Sequence, residues 1–145
     1  MSYVAVRAAI KAKLDALVTA TTLGCVFNGK QSDLSIEIPA WPAAELVRSQ
    51  TDPEYWTNKE DKQWYVFLIN IYQQIEETNL GEVEVAMDSV IDAVMQKFLD
   101  DVNLSGVLDG RIKPVESLPE TTSWKGRQVR REQIILRCPK IKSQP

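Results

Sequence analysis

Three pairs of carboxylates are spaced for chemistry: Glu76 with Glu77, Asp88 with Asp92 four residues on, and Asp100 with Asp101. Two such groups held close together can divide acid and base work in a hydrolase or share a hard divalent cation. The same spacing is routine on a solvated helix or loop surface, and these residues are read that way. The chain has no histidine, so the usual side chain that titrates near neutrality is missing. Ser-His-Asp and Cys-His arrangements are therefore impossible within it, and no GxSxG, GxGxxG or GxxxxGK(S/T) motif presents a nucleophile or cradles phosphate. Cys25 and Cys138 lack CxxC spacing, which argues against a zinc site and a disulfide framework and for reduced structural thiols. The expectation is a chain that is not an enzyme, with no catalytic residue, no metal and no cofactor.

The elements that would position any site follow from length and periodicity. At 145 residues one domain over 1–145 is expected, with its last few residues frayed. No signal peptide or membrane span is read, because Arg7, Lys11, Lys13 and Asp15 interrupt the first apolar segment. Tyr3, Val6, Ile10, Leu14 and Leu17 recur at steps of three and four, predicting an amphipathic helix over 2–18 that Thr19 to Thr22 and Gly24 stop. A short strand at Cys25 to Phe27, an alternating strand from Leu34 to Ile38 and another from Ala43 to Ser49 follow. Gln50 to Asp61 reads as a polar loop or hairpin tip. Lys62 to Gln74 is a nearly continuous run of aromatic and aliphatic residues, predicting a strand covered on both faces, one by helices and the other by something else. Asn79 starts a long helix as N-cap, and its apolar positions Val83, Met87, Val90, Ile91, Val94 and Phe98 carry it toward Ser105 and Gly106. Arg111 to Glu116 is a strand, Ser117 to Gly126 a loop, and Gln128 to Cys138 the last strand. Together they predict an α+β fold: a two-layer sandwich with a mostly antiparallel sheet and two main helices on one face.

Charge is divided along the chain. Residues 1 to 106 hold 8 Lys and Arg against 16 Asp and Glu, and residues 107 to 145 hold 9 against 4, giving −8 and +5 within a total of −3. The basic stretch Lys125, Arg127, Arg130 and Arg131, beside Trp124, has the residue types to grip phosphates and stack a base. It is equally the Arg-rich polar side of a strand, and an acidic chain is a poor nucleic-acid domain. Arginine also suits protein interfaces, where its planar fork pairs with carboxylates. Trp41, Tyr55 and Trp56 lie in Pro-rich or polar connections, where a large aromatic closes the end of a sheet or anchors an interface.

The order of these features resembles the tail terminator, or tail completion, proteins of long-tailed bacteriophages. The resemblance rests on the N-terminal helix, the extended stretch Ile38-Pro-Ala-Trp-Pro-Ala-Ala-Glu-Leu-Val47 and a polar loop. The aromatic strand Trp64 to Tyr72, the long helix ending near Leu104-Ser-Gly106, the turn into Val107-Leu-Asp-Gly-Arg-Ile112 and the strand ending Gln133-Ile-Ile-Leu-Arg137 complete it. It implies a structural virion protein at the head-tail junction, assembled in the bacterial cytoplasm. Such a subunit forms a homo-oligomeric, six-membered ring that caps the head-proximal end of the tail tube and ends tube polymerisation. Its partners would be the tail tube protein and the head completion or connector protein, with DNA passing through the ring without sequence-specific binding and no membrane involved. A head-tail connector or stopper subunit shares nearly all these properties, and a small nucleic-acid-binding module is a further alternative. Within a ring, Tyr55 and Trp56 are expected at an adjacent ring, Lys125, Arg127, Arg130 and Arg131 against acidic partners, and Asp88 and Asp92 on a solvated face or along the DNA passage.

Overall fold

In the computed structural model, described over residues 3–28, 40–48, 52–55, 60–75, 80–108, 110–116, 120–124 and 127–143, the fold is α+β. Helix α1 (Tyr3–Thr19) leads into β1 (Cys25–Asn28), β2 (Ala43–Arg48), β3 (Asp52–Tyr55) and β4 (Glu60–Gln74). Helix α2 (Leu80–Leu99) follows, then β5 (Lys113–Glu116), β6 (Glu120–Trp124) and β7 (Arg127–Ser143). The seven strands form one sheet in the order β1-β2-β4-β7-β5, with β3 added to β4 and β6 to β7. Among the described residues only β1 and β2 run parallel, and the other pairings are antiparallel.

Both helices pack on one face of this sheet. Val6, Ile10, Leu14 and Leu17 of α1 and Met87, Ile91, Val94 and Phe98 of α2 are buried against Leu46, Phe67, Ile69, Ile71, Ile134, Leu136 and Cys138. The strand residues alternate because side chains on a strand point to opposite faces in turn. Phe67, Ile69 and Ile71 of β4 thus face the helices with their β7 partners Leu136, Ile134 and Glu132. The apolar run of β4 owes its other half to the opposite face, where Trp64, Asn70 and Tyr72 are also buried.

Helix α1 ends at Thr19, within one residue of the end expected from sequence, and the chain reversal there is made by Thr21 and not by a glycine. Thr21, at φ 64°, occupies the left-handed position after α1. Its amide donates to Val18 O at 3.0 Å and the Thr22 amide to Leu17 O at 2.9 Å, the double closure that ends many helices. Gly24 has another task. A Cβ there would lie 2.8 Å from Ala40 C and from Trp41 N and O, so only a hydrogen fits beneath that backbone. These two positions predict opposite signs. Thr21→Gly should raise stability by about 1 kcal/mol through relief of the left-handed β-branched residue, whereas Gly24→Ala should lower it by about 1–3 kcal/mol through overpacking; urea unfolding of both variants reads the difference.

Helix α2 stops at Leu99 rather than continuing to Ser105 and Gly106. Beyond it the bonds shorten to i−3, Asp101 N to Phe98 O at 3.3 Å and Leu104 N to Asp101 O at 3.1 Å, and Leu104, Ser105 and Gly106 all have positive φ. Asp101 fixes this turn. Its carboxylate accepts the Ser105 amide at 2.9 Å and the Ser105 hydroxyl at 2.7 Å, and pairs with Lys13 of α1 at 2.7 Å. Those donors, Lys13 first, hold its pKa at about 2 instead of 3.8. A carboxyl depressed on folding contributes stability above its unfolded pKa, and loses that contribution as pH falls through the folded one. Asp101→Asn should therefore flatten the dependence of stability on pH between about 4 and 2, measured by denaturation at a series of acidic pH values.

The strand expected at Leu34 to Ile38 and the cap Asn79 lie outside the described residues, as does the chain end beyond 143. Gln50 to Asp61 contains β3, which pairs with β4 as a hairpin. Ser117 to Gly126, expected as a loop, contains β6: Glu120 to Trp124 pair with Arg131 to Arg127, leaving two residues between the strands. Among the described residues no helix is long and apolar enough to cross a membrane.

Candidate functional site

The sheet face opposite the helices is built in cross-strand rows, each fixed by register. One row is apolar and crosses four adjacent strands: Val47 opposite Leu68, Leu68 opposite Ile135, and Ile135 opposite Val115. Leu68 and Ile135 are half-buried and Val115 is 50% exposed. The next row is polar and bonded along its length. Asn70 donates to Glu45 Oε1 at 2.9 Å, and Gln133 Nε2 donates to Asn70 Oδ1 at 2.9 Å. The Tyr72 hydroxyl donates to the same Glu45 oxygen at 3.1 Å. Burial first, then the Glu45 charge, pushes the Tyr72 phenol well above its ordinary value, while Arg131 acts against the shift.

On the other side of the apolar row, Lys113 Nζ lies 5.0 Å and Arg137 Cζ 4.5 Å from the centroid of the Trp64 ring. Lys113 and Arg137 are register partners, and the negative ring face offsets the repulsion between two adjacent cations. Sequence showed Trp64 only as part of an apolar run, since its two cations arrive from strands 49 and 73 residues further along.

A second cluster sits where α1 crosses β1 and β2. Arg7 Nη1 donates to Asn28 Oδ1 at 3.0 Å and to Leu46 O at 3.2 Å, and its guanidinium lies 5.4 Å from the Phe67 ring centroid. Arg48 stacks 4.4 Å from the centroid of Tyr3. Burial, then the nearby Arg48 charge, lowers the Arg7 pKa. With Val4, Ala8 and Lys11 these residues line a recess of about 440 Å³.

Of the basic residues singled out in sequence, the side chains of Arg130 and Arg131 are described. Arg130 and Arg131 are neighbours on β7, so their side chains leave opposite faces of the sheet. Arg130 Nη2 pairs with Glu84 of α2 at 2.7 Å and its Nη1 donates to Thr121 Oγ1 at 3.4 Å; Arg131 pairs with Glu120 of β6 and stands opposite Tyr72 in register. Both bind elements of their own chain. Arg127 opens β7 opposite Trp124, and Tyr55 ends β3 opposite Asp61; of these two only the strand positions are described. Trp56 and Lys125 lie outside the described residues. Asp88 and Asp92 are exposed on α2.

Among the described residues no group of three His, Cys, Asp or Glu side chains could hold a metal ion. Cys25 and Cys138 are free, and burial pushes the Cys138 thiol up to about 12, which suits an inert core residue. The arrangement offers contact surfaces: an apolar row, a cation-flanked tryptophan and a cationic recess.

No protein-family model matches the chain, and no curated protein matches it. Among solved structures, one whose name states no function is 20% identical, covers 95% of this chain and 96% of its own, and superposes with a TM-score of 0.48.

Proposed function

We propose that this chain is a structural subunit of a long-tailed phage virion, a tail terminator that assembles as a ring on the head-proximal end of the tail tube. The ring stops tube polymerisation and receives the head completion or connector protein, and DNA passes through it without being read. The observation that carries this reading is the apolar row Val47, Leu68, Ile135 and Val115 across four strands of the sheet face turned away from both helices. An apolar strip rimmed by cations on one side and a bonded polar row on the other has the composition of a protein contact. The element order and the resemblance of the aromatic strand, long helix and final strand to tail terminators support the same assignment.

Negative-stain imaging of the purified protein, alone and mixed with tail tubes, tests it. Rings with a central hole, or tubes capped at one end and no longer growing, are the expected result. A chain that neither closes into rings nor binds tubes, while binding purified heads, would move the assignment to a connector or stopper; binding to neither would overturn both.

A further inference from the structure

Among the described residues the two most exposed large apolar side chains are Val4, at 79%, and Val85, at 69%, and each has charges of one sign at helical spacing around it. Around Val4 on α1 stand Arg7 and Lys11 at helical spacing, with Arg48 supplied by β2. Lys11 pairs with Asp15 at 3.0 Å, but among the described residues neither Arg7 nor Arg48 has a carboxylate at ion-pair distance. Around Val85 on α2 stand Glu82, Asp88 and Asp92, all exposed on the outward stripe, with no cation at ion-pair distance among the described residues. Like charges at i and i+4, as at Asp88 and Asp92, weaken a helix that has nothing opposite them.

The two surfaces are also placed for each other's copies. Helix α1 is bonded to β1 and β2 through Arg7, whereas α2 is tied by Glu84 to Arg130 of β7. In the sheet, β2 and β7 lie on opposite sides of β4. One chain cannot satisfy both patches, since they belong to different edges of the helix layer, but a row of chains can. We infer that the acidic stripe of α2 around Val85 docks on the cationic recess around Val4 of a second copy of this chain, head to tail. An interface of two unlike patches propagates around a ring when the rotation closes. The inference rests on the ring reading and supplies its subunit contact.

Charge reversal on each side tests it. Lys11→Glu with Arg48→Glu makes the recess acidic, and Asp88→Lys with Asp92→Lys makes the stripe basic; Arg7 is left in place because it bonds β1 and β2. Each variant alone sets like charges together and should associate more than about a hundredfold more weakly than the parent, measured by size-exclusion chromatography with light scattering. Mixed in equal amounts, the two regain opposite charges at every contact and should assemble again. Rising salt should dissociate the parent assembly. Circular dichroism confirms folding, and Val4→Glu, at a solvent-facing position, gives the same readout if loss of the Arg48 stack unfolds the first variant.

Variants that assemble like the parent, or a mixture that stays unassembled, would overturn the inference while leaving the ring reading to stand on other faces. A parent chain that remains single up to high concentration also overturns it, and tube capping then decides the ring reading separately. If the recess variants lose binding to an Asp- and Glu-rich peptide or to short duplex DNA while self-association is unchanged, the recess serves that occupant and not a second copy.

Discussion

Phe67→Ala is expected to lower the stability of the fold by about 3–5 kcal/mol. Phe67 is fully buried in β4, between Arg48 of β2 and Leu136 of β7 in register. Its ring lies 5.7 Å from that of Tyr3 in an edge-on arrangement and beneath the Arg7 guanidinium. Truncation leaves a cavity where α1 meets the sheet and removes the surface on which the first turn of the helix rests. The site cannot collapse easily, because β2 and β7 hold β4 on both sides. In a domain of this size each kcal/mol moves the midpoint by about 2–4 °C, so a drop of about 10 °C is expected. Phe67→Leu, which keeps most of the volume, should cost less than half as much. Urea and thermal unfolding give both numbers; a loss below about 1 kcal/mol for the alanine variant would mean that α1 is not seated on this ring.

What sequence revealed and what it hid divides along local and non-local lines. Both helices were legible because their apolar positions recur at 3.6 residues, and β4 because an aromatic and aliphatic run of that length suits a covered strand. The end of α2 was not legible: Leu104 is buried and looks like one more apolar position, whereas the backbone has already turned at Asp101. Strand β6 was hidden because Glu-Thr-Thr-Ser-Trp has no apolar alternation; its partner β7 confers its strand state. Arg130 and Arg131 looked like one patch because they are adjacent, and adjacency on a strand is what separates them. The cationic recess was invisible for the converse reason, since Arg7 and Arg48 stand 41 residues apart and meet only through the pairing of β2 with β4 under α1.

Asn70 interrupts the apolar run of β4 at a fully buried position, and the polar row it belongs to has a physical role there. A strand whose side chains are apolar on both faces has little to fix its register, and a slip of one residue exchanges the two faces. Glu45, Asn70 and Gln133 lie on three neighbouring strands and bond only when β2, β4 and β7 are aligned as observed. Polar groups of this kind can set one arrangement at some cost in stability.

Asn70→Ala should accordingly be about as damaging as the loss of a core aromatic, at about 3 kcal/mol or more. It removes the donor to the Glu45 carboxyl and the acceptor of the Gln133 amide in one step, inside a fully buried site. The Tyr72 hydroxyl still reaches Glu45 at 3.1 Å, but a buried carboxyl deprived of one donor keeps most of its desolvation cost. Replacing Glu45 and Asn70 together by leucine removes the polar demand as well as its supply, so the double variant should lose clearly less than the sum of the two single changes. The four proteins of that cycle, compared by urea unfolding, measure the coupling directly. Strictly additive losses would mean that the row is a set of independent contacts with no share in aligning the three central strands.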